Sequence, residues 1–223
     1  FSFGKQPVTI PTDSKLLLTD LGHDFSTLES VGIVTGCFPN EKSVVNHLIM
    51  IRQVFSEFNF RGEIRYIGSQ LRSDEALQEV ISSGPFALYL TIETFERREK
   101  LMKKSKASLS LEGGRRVLAT AKKMGAETSF LYIAGLDEHK TMEREFPLYA
   151  PLLTRLPQIQ IFQVYTPDQI KLRHPDAARV EYFLKTRQIV EQAYPDLRPI
   201  AANNFRSLWY TKYGQYLLPN EEI

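Results

Sequence analysis

The chain has 223 residues, of which 28 are Lys or Arg and 26 Asp or Glu, and its formal net charge of +2 is too small to argue for nucleic acid or an anionic membrane as the main partner; nucleic acid and membrane are not expected partners. At 43% apolar residues it is long enough for one large domain with a sizeable core. The single cysteine, Cys37, excludes a disulfide framework and any multi-cysteine metal site built by this chain, and no apolar run approaches the roughly 20 residues that cross a bilayer.

The start, Phe1 to Lys5, carries neither an initiator methionine nor a signal-peptide pattern, so the sequence is expected to be the inside of a longer chain, with a cytoplasmic location. Short apolar runs then alternate with segments of helical period, the pattern of repeated βα units and a parallel sheet. The first strand is expected over 30–35, followed by a helix over 41–58 with Val44, Val45, Leu48, Ile51 and Phe55 on one face. A second strand over 63–67 leads to a helix over 73–82, for which Ser73 is a natural N-cap. The third strand, 86–92, precedes a long charged connection and a helix over 110–124 that stops at Gly125. Residues 128–134 read as the fourth strand, 137–149 as a helix, 158–164 as the fifth strand and 176–193 as a long helix. A tail rich in aromatics (Phe205, Trp209, Tyr210, Tyr213) is expected to pack over an edge or end of the sheet. Residues 1–30 thus form a leading segment, 31–195 the core and 196–223 the tail. Three more βα units would be needed for an eight-fold barrel, so the α/β fold is expected to be a partial parallel (βα) barrel, open or incomplete.

In such folds ligands sit beyond the carboxyl ends of the strands, and every exit here carries polar or small residues. The first is Thr35-Gly36-Cys37-Phe38-Pro39, where glycine lets backbone approach a ligand, or where Gly36 and Pro39 simply force a turn. The second is Gly68-Ser69-Gln70, the third Thr91 to Thr94 with Glu93 after an apolar strand. The fourth is Gly135 to Glu138, with the carboxylate pair Asp137 and Glu138, and the fifth is Gln163 to Pro167. The fourth exit taken alone also reads as an ordinary strand-to-helix turn with a helix-capping acid.

This ordered set resembles the radical S-adenosylmethionine (radical SAM) superfamily, whose partial barrel carries a cofactor motif at nearly every strand end. Gly36 and Pro39 stand where that family has the outer residues of a Gly-Gly-Glu-Pro-type motif, with Cys37 and Phe38 in the middle. Glu93 stands where a polar residue contacts the cofactor. Leu131, Ile133, Gly135 and Glu138 follow the spacing of a Gly-x-Ile-x-Gly-x-x-Glu motif, with the first glycine lost. Arg115 or Arg116 corresponds to an arginine that pairs with the cofactor carboxylate, and Gln163, Val164 and Tyr165 to the adenine side. The resemblance spans about residues 30–195.

What it implies is S-adenosylmethionine held by Thr35, Gly36, Ser69, Glu93, Arg115, Arg116, Ile133, Gly135, Glu138, Gln163 and Tyr165. It further implies a 4Fe-4S cluster that cleaves the cofactor reductively to a 5′-deoxyadenosyl radical, a small-molecule or peptide substrate, and a reductant such as flavodoxin or ferredoxin. The family's Cys-x-x-x-Cys-x-x-Cys loop, whose thiolates hold the cluster, has no counterpart in this sequence.

Other signals are weaker. The basic run 97–106 reads as a solvated face more readily than as a phosphate site. His23, His47, His139 and His174 show no ligand spacing, although His139 follows Glu138 and lies near the expected rim. Two further classes remain: a non-redox barrel lyase or isomerase using Glu93 and Glu138 as acid and base, for which no strand exit offers a lysine, and a cluster-free binding module that retains the nucleotide-sized groove.

Overall fold

The fold is seen in a computed structural model, which describes residues 15, 18–20, 24–35, 38–164 and 166–197. The tail beyond 197, Cys37, and the expected site residues Gly36 and Tyr165 lie outside the described residues.

Among the described residues five strands form one parallel sheet in the order β1 (Ser30–Val34), β2 (Glu63–Gly68), β3 (Phe86–Glu93), β4 (Glu127–Ala134) and β5 (Gln158–Ile161). From residue 24 on, the α-helices among the described residues are α1 (Glu41–Glu57), α2 (Asp74–Ile81), two single turns α3 (Arg98–Leu101) and α4 (Lys104–Ala107), α5 (Leu111–Lys123), α6 (His139–Tyr149), another single turn α7 (Pro167–Ile170) and α8 (Val180–Ala193). Strand order equals chain order, and α1 packs on α2, α2 on α5, and α6 on α8. Because the order never reverses, all crossovers turn the same way and the sheet curls into a half-barrel. This is the α/β partial barrel that the βα alternation predicts.

The core lies between the sheet and the helices. From β3, Leu88, Leu90 and Ile92 are fully buried, and Leu90 and Ile92 reach the helix glycine Gly114 of α5. From β4, Phe130 and Tyr132 meet Phe146 and Tyr149 of α6 and Phe95, with ring centroids 4.8 to 6.5 Å apart. Each such aromatic contributes on the order of 1.5–3 kcal/mol by leaving water. Helix starts follow local chemistry: Asn40, Ser73 and Ser110 each accept a first-turn N–H of α1, α2 and α5.

The segment expected as one helix over 176–193 is divided. Pro175–Ala178 is a 3-10 turn, and α8 starts after Arg179, whose backbone is extended (φ −118°, ψ 149°). The fifth strand is shorter than expected, because Phe162 N–H still bonds to Ala134 O but the ladder ends there. Helix α6 begins at His139 rather than at 137, since the Asp137 carboxylate is engaged across the loop from β3.

Candidate functional site

The exits of β1, β2 and β3 open on one cavity of about 280 Å³, floored by Thr35, Ser69, Gln70 and Glu93 and walled by Met102 and Lys106. Local chemistry brings each of these there. At Gly68 an added Cβ would fall 2.2 Å from Tyr66 Oη, so only glycine lets β2 end over that hydroxyl. Gln70 then ties two exits together: its Nε2 donates to Phe38 O and its Oε1 accepts from Phe38 N, both at 2.9 Å.

Glu93 is the unusual residue. The pairing of β3 with β4 slips between Thr91 and Glu93, which leaves Ile92 as an extra residue, and Glu93 itself has φ +63°. Thr94 N–H bonds back to Ile92 O at 2.8 Å, so Glu93 is the apex of a three-residue turn. A left-handed, non-glycine residue costs on the order of 1 kcal/mol or more and persists only where its surroundings impose it. Bulges of this kind redirect a side chain. Here the side chain lines the cavity, and its Oε1 lies 2.6 Å from Lys106 Nζ. Carboxylate and ammonium thus face the same space, both partly open to solvent.

Asp137 imposes the turn from one side. It is 1% exposed, and its carboxylate accepts from Thr94 Oγ1 (2.6 Å), Phe95 N (2.7 Å), Tyr132 Oη (2.8 Å) and Glu96 N (3.3 Å). Burial first, and then this carboxylate, hold the Tyr132 hydroxyl well above its ordinary pKa, so it remains a donor. From the other side comes Arg98, 6% exposed, whose guanidinium bonds to the carbonyls of Ile92, Thr94, Lys106 and Leu109. Arg72 joins the walls, with Nε 2.8 Å from Ser69 O and Nη2 2.6 Å from Ser105 O.

Of the residues expected from the sequence, Thr35, Ser69 and Glu93 meet at this cavity. The other described ones are not part of its lining. Arg115 pairs with Glu145 (3.4 Å) beside the Tyr149 ring, and Arg116 with Asp74 (3.0 Å) and the Arg72 carbonyl (2.8 Å), so both brace helices. Ile133 is paired with Gln160 inside the sheet, and Gln163 is exposed beyond β5. Gly135, at φ +111°, is closely packed: an added Cβ would come 3.2 Å from Phe162 Cβ, and its N–H meets Tyr182 Oη at 3.2 Å. Glu138 is the exposed N-cap of α6 with no capping hydrogen bond from its side chain. His139 stacks on Tyr182 at 4.5 Å and bonds to its carbonyl oxygen, remote from the cavity lining.

Lys106 and Arg98 are the site residues that sequence reasoning passes over, because both fall in a basic run with the composition of a solvated face. The signal that distinguishes them is position: the run follows directly on Glu93. Among the described residues no group of three or more His, Cys, Asp and Glu could hold a metal ion, and no helix is long and apolar enough to cross a membrane. Neither a protein-family model nor a curated protein matches this chain.

Proposed function

We propose that this chain binds S-adenosylmethionine at the Glu93 cavity, as the cofactor-holding half-barrel of a radical SAM-type enzyme. One observation carries the reading: a glutamate held in a strained turn at a strand exit and ion-paired with a lysine ammonium, both lining one cavity at the carboxyl end of a parallel sheet. An α-amino acid has the complementary charges. Its ammonium suits Glu93, and its carboxylate suits Lys106. Thr35, Ser69 and Gln70 line the same space and offer hydroxyl and amide partners.

The residues present therefore fit the amino-acid end of the cofactor. When bound, S-adenosylmethionine supplies an electrophilic sulfonium, and the protein's part is to orient it and exclude water. They do not fit a 4Fe-4S cluster, which needs three thiolates where this chain has one cysteine. With one cysteine, the activity proposed for this chain by itself is cofactor binding. A reductant protein and a hydrogen-donating substrate belong to the same proposal.

Isothermal titration with S-adenosylmethionine tests it. The wild-type chain should bind one equivalent, and Glu93→Gln and Lys106→Met should each weaken binding by about tenfold or more, the loss of one charge-assisted hydrogen bond. No heat with the wild-type chain at millimolar cofactor, or variants that bind as the wild type does, would sink the reading.

A further inference from the structure

We infer that Arg98 is a positioning residue that sets the spacing of the Glu93–Lys106 pair and so gives the cavity its preference for ligands with an amino-acid end; the inference rests on the cofactor reading above. Glu93 and Lys106 are 13 residues apart, and the chain from one to the other carries two single helical turns, α3 and α4, the second of which contains Lys106. Turns that short do not fix where Lys106 lies relative to the sheet. A single guanidinium does. Nη1 of Arg98 donates to Ile92 O and Thr94 O, the carbonyls on either side of Glu93, while Nη2 donates to Lys106 O (3.3 Å) and Leu109 O (3.0 Å). The backbone on both sides of the acid and the backbone of the base are thus held by one rigid, planar group.

Arginine is required for geometric reasons. Its five donors lie in a fixed plane, whereas a lysine ammonium is a single point with three rotatable donors and cannot span the four carbonyls. The side chain is nearly fully buried and its guanidinium donates to backbone carbonyls, so it acts through the backbone. Arg72 also reaches this wall, at Ser105 O, but it bonds to neither Glu93 nor Lys106 nor the carbonyls adjoining Glu93.

The test compares two probes that share an adenosine thioether and differ in the amino-acid end: S-adenosylhomocysteine and 5′-methylthioadenosine. The wild-type chain should prefer the first by about tenfold or more. In Arg98→Gln, and in Arg98→Lys as the variant that retains the buried charge, that ratio should fall to about threefold or less, while binding of 5′-methylthioadenosine changes little. A ratio unchanged from the wild type, with both affinities falling together, would overturn the inference, because a merely structural role weakens both probes alike.

Amide hydrogen exchange without ligand separates this from failure of the cofactor reading. Both segments 92–95 and 104–109 should exchange faster in the variants, and exchange at the wild-type rate in either segment overturns the positioning role whatever the chain binds. A wild-type chain that binds neither probe overturns the cofactor reading, and the exchange result then decides the role of Arg98.

Discussion

At the scale of single residues, the site depends on two buried charges that never meet the cavity. Asp137 illustrates how a carboxylate at a strand exit is consumed by structure: four donors converge on it, from Thr94, Phe95, Glu96 and Tyr132. Replacing it with alanine leaves buried donors without an acceptor, each costing about 1–3 kcal/mol. Asp137→Ala should therefore lose about 3 kcal/mol or more of unfolding free energy in urea; a loss below about 1 kcal/mol would mean that the network contributes little. In the sequence, Asp137 and Glu138 read as one acidic pair at a rim. The fold separates them, one buried against the loop after β3 and the other exposed at the cap of α6, because the donors of that loop draw Asp137 inward while Glu138 takes the N-cap position. Glu93 was legible as an acid after an apolar strand. Its turn was not, since nothing in the residue type announces φ +63°.

At the scale of elements, α6 is held on the sheet by an aromatic cluster whose hydroxyls are buried with the rings. Burial pushes the Tyr149 phenol up from 10 to about 12, the neighbouring Arg115 and Arg98 opposing it. A raised folded-state pKa gives stability that is fully present below the unfolded value and is lost as pH rises through the folded one. Between pH 10 and 12 the unfolded chain ionises Tyr149 while the folded chain does not, so stability falls. Tyr149 should account for roughly 2 kcal/mol of the stability lost between pH 9.5 and 11.5, so the drop measured by urea unfolding should be smaller by about that amount in Tyr149→Phe. If Tyr149→Phe follows the wild-type curve, that hydroxyl is not the group responsible. Elements with strong local codes were legible: α1, α2 and α5 start at capping residues, and α5 stops at Gly125, where φ is +89°. The break at Arg179 and the short β5 were not, because they arise from packing at the sheet edge rather than from a local stop signal.

At the scale of the whole molecule, βα alternation suffices to specify a parallel sheet, and among the described residues five strands in chain order give a half-barrel that runs from β1 to β5. Which exits share a cavity is a different matter, settled by curvature and by ties between loops such as Gln70 to Phe38 and Arg98 to Lys106. That is why Thr35, Ser69 and Glu93 converge while Arg115 and Arg116, close in sequence to the place expected of a carboxylate partner, brace helices instead. Lys106 takes the place proposed for that partner. The most direct test is a crystal structure of this chain grown with saturating S-adenosylmethionine. The account predicts the cofactor's ammonium on the Glu93 carboxylate and its carboxylate on Lys106, with the Glu93 turn unchanged. Cofactor bound at another face of the sheet, or turned so that its amino-acid end avoids Glu93, would contradict it.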